Sequence, residues 1–119
     1  MPIDRSPTIS VVIAAHNGAR TLERCLEALS NSAVAPWECL VVDDGSEDET
    51  AVVAERHGAR AIALKNRRGP AYARNVGARQ ARGEVVLFLD ADVCIHPDAL
   101  TRIVDRFRRD PSLDAVIGA

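Results

Sequence analysis

Two apolar runs in this 119-residue sequence stop abruptly in acid: Val41-Val42-Asp43-Asp44 and Phe88-Leu89-Asp90-Ala91-Asp92. A carboxylate at a strand end has two chemical uses, accepting N–H hydrogen bonds and ligating a cation. Asp90 and Asp92 flank a single Ala91, so in an extended chain they would point to opposite sides. One could then hold a metal while the other holds something different. Asp43 and Asp44 precede Gly45-Ser46, where either could also cap the helix expected next.

The elements that must position these acids follow from the apolar pattern. Residues 84–93 center on five apolar residues, 85–89, too few to span a membrane and suited to a strand covered on both faces, as in a parallel sheet. In open α/β sheets the crevice outside the carboxyl ends of the strands is the usual ligand site, which gives these acids their interest. The first strand is expected at residues 9–15, with order beginning at about Thr8. It stops at His16-Asn17-Gly18, after which Leu22, Cys25, Leu26 and Leu29 repeat at helical spacing with Thr21 as the expected N-cap. Residues 31–36 break that helix, and a second strand spans 38–42.

Ser46 or Asp48 can cap a second helix running to His57, where Gly58 supplies a left-handed residue. A short third strand is expected at 61–64. The basic loop Lys65-Asn66-Arg67-Arg68-Gly69 then leads to Pro70, a favored first helical residue, and to a third helix ending near Ala81 and Gly83. A fourth helix starts at Pro97, places Leu100, Ile103, Val104 and Phe107 on one face, and stops at Asp110-Pro111. Its arginines 102, 106, 108 and 109 read as a solvated face. Residues 113–117 suggest a fifth strand. Strand and helix alternate throughout, which predicts a mostly parallel sheet with flanking helices, one α/β domain over residues 1–119.

Composition narrows the function classes. The chain is 47% hydrophobic, 27% charged and only 3% aromatic, so aliphatic strands and alanine-rich helices must fill a globular interior. A net charge of −2 and a pI near 5.9 provide no global field for nucleic acid. Three cysteines without Cys-x-x-Cys spacing argue against a disulfide framework or zinc site and suit a reducing cytoplasm, with Cys25 and Cys39 as small core hydrophobes. The stretch contains no export signal and no run of 18 apolar residues, so membrane association, at the inner face, would have to come through other segments.

Four motifs in order, Val11-Val12-Ile13-Ala14-Ala15-His16-Asn17, Val41-Val42-Asp43-Asp44-Gly45-Ser46, Ala73-Arg74-Asn75-Val76-Gly77 and Phe88-Leu89-Asp90-Ala91-Asp92, resemble family 2 glycosyltransferases of the Rossmann-like GT-A fold. The resemblance implies the nucleotide-sugar-binding half of such an enzyme, ending before the acceptor-binding half. It would transfer a sugar from a nucleoside diphosphate donor, UDP-linked, to an unknown acceptor with inversion. Ala14, at a position where the family usually has proline, and His16 would line the nucleotide, and Asp44 would face a uracil imide. Arg74 would reach the diphosphate, for which a guanidinium is well shaped. Asp90-Ala91-Asp92 would be the family's Asp-x-Asp motif, Asp90 facing the ribose and Asp92 ligating Mg²⁺ or Mn²⁺. The family's basic loop carries asparagine two residues before its glycine, whereas Asn66 stands three before Gly69. No catalytic residue is expected within the stretch, since the family's base comes from a later segment beyond Ala119. The rival reading is a non-catalytic nucleotide-sugar-binding or assembly module. A phosphoacceptor receiver domain is disfavored because the first strand ends in Ala-Ala-His-Asn instead of an acidic pair.

Overall fold

A computed structural model describes residues 6–110 and 112. Eight elements alternate along the chain: β1 (Ile9–Ala15), α1 (Ala19–Ser30), β2 (Glu38–Asp43), α2 (Thr50–Arg56), β3 (Arg60–Ala63), α3 (Pro70–Gln80), β4 (Val85–Asp90) and α4 (Ala99–Arg109). The strands form one sheet in the order β3-β2-β1-β4, and every pairing is parallel. The expected fifth strand at 113–117 lies outside the described residues.

The period-2 alternation of β1 divides the interior. Ile9, Val11, Ile13 and Ala15 join a buried cluster with Leu22, Cys25, Leu26 and Leu29 of α1, Val53 and Ala54 of α2, and Leu100 and Val104 of α4. Val12 points the other way, toward α3. There Gly77 allows a close approach: a Cβ on it would lie 2.4 Å from Val12 Cγ1 and 3.2 Å from Val42 Cγ2. The small face of α3 therefore sets how closely that helix lies on β1 and β2.

The expectation for β4 needs correction. Among the described elements β4 is an edge strand, not a strand covered on both faces. Val85, Leu87 and Leu89 pack against the core cluster, but α3 lies over β1 and β2 and leaves the opposite face of β4 open. Phe88 on that face is 48% exposed. An apolar run identifies a strand, whereas its place in the sheet depends on distant chain.

Helix starts also shift. α1 begins after Gly18, and Thr21 is already helical, its hydroxyl donating to Gly18 O at 3.1 Å. α2 starts at Thr50 after Glu49, later than a Ser46 or Asp48 cap would place it. Asp48 nonetheless accepts the Thr50 N–H at 3.0 Å. α4 starts at Ala99, because Pro97 belongs to the preceding turn and its carbonyl accepts Ala33 N–H at 2.9 Å. α3 is complete by Gln80, and Gly83 instead allows the chain to pass over Ser10, whose Oγ accepts its N–H at 2.8 Å. All four arginines of α4 lie on the surface.

Candidate functional site at the carboxyl end of the sheet

The turns that follow β1 and β2 are tied together by hydrogen bonds. Asn17 takes a left-handed conformation, φ 47°, which asparagine tolerates. Its N–H donates to Ser46 Oγ at 2.8 Å and its Oδ1 accepts Glu47 N–H at 2.8 Å. That contact fixes the amide orientation, so Asn17 Nδ2 is the donor toward His16 Nε2 at 3.3 Å. His16 Nδ1 lies 2.7 Å from Asp44 O, and a carbonyl only accepts. The geometry thus assigns the His16 proton to Nδ1 and orients the ring at the mouth of the sheet.

Asp43 and Asp44 are both buried. Asp43 Oδ1 accepts Ser46 N–H at 3.0 Å, closing the turn locally. Asp44, 3% exposed, reaches across to the loop before α3, accepting Arg68 N–H on Oδ1 at 2.7 Å and Gly69 N–H on Oδ2 at 2.9 Å. Gly45 makes this possible with φ 67°: a Cβ there would lie 2.6 Å from Arg67 N. The basic loop is therefore clamped onto the end of β2 by a carboxylate and a glycine. Residue patterns did not reveal this role, since the donors are backbone amides 24 and 25 residues away.

At the end of β4 the acids are free of such a clamp. Ala14 is in register with Val42 on one side and Asp90 on the other. With strands about 4.8 Å apart, the β2 and β4 ends lie roughly 10 Å apart across β1. Asp90 is exposed and pairs with Arg74 of α3 at 3.2 Å. Val93 N–H closes a turn on Asp90 O at 3.0 Å. The chain is thus not extended through Ala91 and Asp92, and the alternation expected to send the two acids to opposite sides does not apply. Ala91 turns into the core. Asp92 is exposed, with no hydrogen-bond or ion-pair partner among the described residues.

Beneath this turn, Cys25 Sγ lies 3.7 Å from Asp90 O, and burial, with Cys94 and Asp92 adding, pushes its thiol up to about 11. Cys39 is raised to about 12, again chiefly by burial. Both act as core side chains. Arg68, just before the Gly69 N-cap of α3, stacks over the Tyr72 ring at 4.6 Å, a pair that residue spacing does not reveal because the backbone at Gly69 is not helical. Lys65 and Arg67 are exposed. No helix among the described residues is long and apolar enough to cross a membrane.

The parallel sheet with acids and arginine gathered at its carboxyl end is of the GT-A class of nucleotide-sugar transferase folds, as its likeness to solved structures shows. TarS of Staphylococcus aureus in complex with UDP-GlcNAc superposes with a TM-score of 0.81 and 28% identity over 86% of this chain and 31% of that one. The mannosyltransferase PcManGT of Pyrobaculum calidifontis, in complex with GDP-Man and Mn²⁺, gives 0.82 and 28% over 92% and 34%. Residues 10–119 match the description of glycosyl transferase family 2, and the chain belongs to that family. Among curated relatives, chondroitin synthase of Escherichia coli is 35% identical over 119 residues, covering 96% of this chain. The chain spans 17% of that relative's length.

Proposed function

We propose that this chain is the donor-binding part of a glycosyltransferase that moves a sugar from a UDP-sugar to an acceptor hydroxyl with inversion, aided by a divalent cation. The observation that carries the reading is Asp92, an exposed carboxylate without a partner among the described residues, two residues after the Asp90 of an Asp90–Arg74 pair at the carboxyl end of a parallel sheet. Two solved structures of similar fold hold nucleotide sugars, TarS with UDP-GlcNAc and PcManGT with GDP-Man and Mn²⁺, which supports a donor site in this fold.

The donor set fits a hard cation. Asp92 is an oxygen ligand, and Mg²⁺ or Mn²⁺ at nucleotide sites takes few protein carboxylates because the phosphates supply other ligands. Once bound, the cation would neutralize charge on the leaving diphosphate. Arg74 is assigned to the diphosphate, a role that requires it to exchange its Asp90 contact for phosphate oxygens. Asp90 is then released toward the ribose hydroxyls. Ala14 and the Nδ1-protonated His16 form the floor beside the nucleoside. Asp44 uses one lone pair of each oxygen on the Arg68 and Gly69 amides, so the carboxylate retains acceptor capacity for an imide N–H while its clamp shapes the wall of the base site. Removal of the acceptor proton is assigned to an acid outside this stretch.

Calorimetry with UDP, with and without Mn²⁺, tests the proposal. Mn²⁺ is expected to tighten UDP binding to the wild type and to have little effect in Asp92→Asn. Equal affinity in both conditions removes the metal from the account, and no UDP binding at all removes the donor site.

A further inference from the structure

A second group of metal-type side chains lies on the outer surface of α1 and α2, away from Asp90 and Asp92. α2 starts beside the β1–α1 turn, where Gly18 N–H donates to Thr50 Oγ1 at 3.2 Å and Ala19 N–H to Asp48 Oδ2 at 3.1 Å. From there α2 runs back antiparallel to the strands, so its C-cap residue, His57, sits toward the opposite end of the sheet. The His57 N–H is shared between Val53 O and Ala54 O at 3.2 Å each, which fixes where the ring leaves the helix. Packing of α1 on α2 brings that ring to Glu23 and Glu27, four residues apart on one helical face. Two carboxylates at this spacing repel each other, and among the described residues no lysine or arginine pairs with either.

The His57 Nε2 atom is buried and has no hydrogen-bond partner among the described residues. It faces Glu23 Oε1 at 3.7 Å, too long for a hydrogen bond, and donor atoms from all three side chains lie within 4.8 Å of one another. A zinc-class cation with bonds of about 2.1 Å holds tetrahedral ligand atoms roughly 3.4 Å apart. The His57–Glu23 spacing is already close to that, and the exposed Glu27 closes the remainder by side-chain rotation. A dication would also cancel the charge of the two glutamates and engage the orphaned ring nitrogen. We propose that Glu23, Glu27 and His57 form a second metal site that binds a zinc-class cation and clips α1 to the end of α2. The imidazole selects Zn²⁺ and its neighbors over Mg²⁺ and Ca²⁺, which distinguishes this site from the all-oxygen chemistry at Asp92.

The test is a Zn²⁺ titration by calorimetry of the full 119-residue chain carrying Asp92→Asn and Cys94→Ser, which removes the other carboxylate site and the exposed thiol. One equivalent of Zn²⁺ is expected to bind, without competition from Mg²⁺. Adding Glu27→Gln, on the exposed helical face and neutral for folding, should weaken Zn²⁺ at least about tenfold, and His57→Gln should do the same. Absence of Zn²⁺ uptake, or parental affinity in either variant, overturns the site.

Discussion

β2 and β4 end in the same chemistry, an apolar run followed by two carboxylates, yet the acids meet opposite fates. Asp43 and Asp44 are 7% and 3% exposed and hydrogen-bonded by backbone N–H groups, while Asp90 and Asp92 stand in solvent. The difference lies in what surrounds each strand end. β2 is flanked on both sides by strands whose following loops can deliver amides, and β4 lies at the edge with a paired strand on one side only. An acidic pair is thus a clamp where neighboring loops supply donors, and stays open to solvent where they do not.

The contrast can be broken by substitution, and the largest effect belongs to the clamp. Asp44→Ala removes a buried carboxylate that two loop amides now bond, and should cost about 3 kcal/mol in urea unfolding as well as nucleotide affinity. A loss of affinity without a loss of stability would make Asp44 a pure ligand. Gly45→Ala forces a side chain into positive φ and against Arg67 N, for a cost of about 2 kcal/mol. On the other side of the comparison, Arg74→Gln removes an exposed ion pair and should shift stability by no more than about 0.5 kcal/mol. Its UDP affinity should fall all the same. The smallest effect on the bare fold is expected for Asp92→Asn, within about 0.5 kcal/mol of wild type by thermal melting. Wild type at a hundredfold excess over the dissociation constant for Mn²⁺ and UDP should gain about 2.7 kcal/mol, and the variant should lose most of that gain. A variant that melts far lower and still responds fully to Mn²⁺ would place Asp92 among the structural acids.

Much of the fold was legible because strands and helices announce themselves locally. The six apolar residues of β1, Pro70 at the head of α3 and Gly58 behind α2 each act through their own backbone preferences. The helix starts were read less well, since Thr21 and Pro97 have the right chemistry for a start but the backbone begins its helical turns elsewhere. The exposure of β4 and the clamp at Asp44 were not legible at all. Both depend on which distant segments arrive beside them, and neither residue spacing nor hydrophobic period carries that information. At the site, the sequence marked Ala14, His16, Asp44, Arg74, Asp90, Ala91 and Asp92. The fold puts Ala14 beside Asp90, Asp90 against Arg74, and His16 on Asp44.

The open side of β4 bears on how this chain behaves at high concentration. Among the described residues its outer edge pairs with no strand, and Val85-Val86-Leu87-Phe88-Leu89 contains neither charge nor proline. Such a segment is a template for adding another copy of itself, and natural sheets blunt it with lysine, proline or a covering element. Phe88, already half in solvent, is therefore the position at which a lysine should raise the concentration this chain tolerates before it self-associates, at little expense to the core on the far side of the strand.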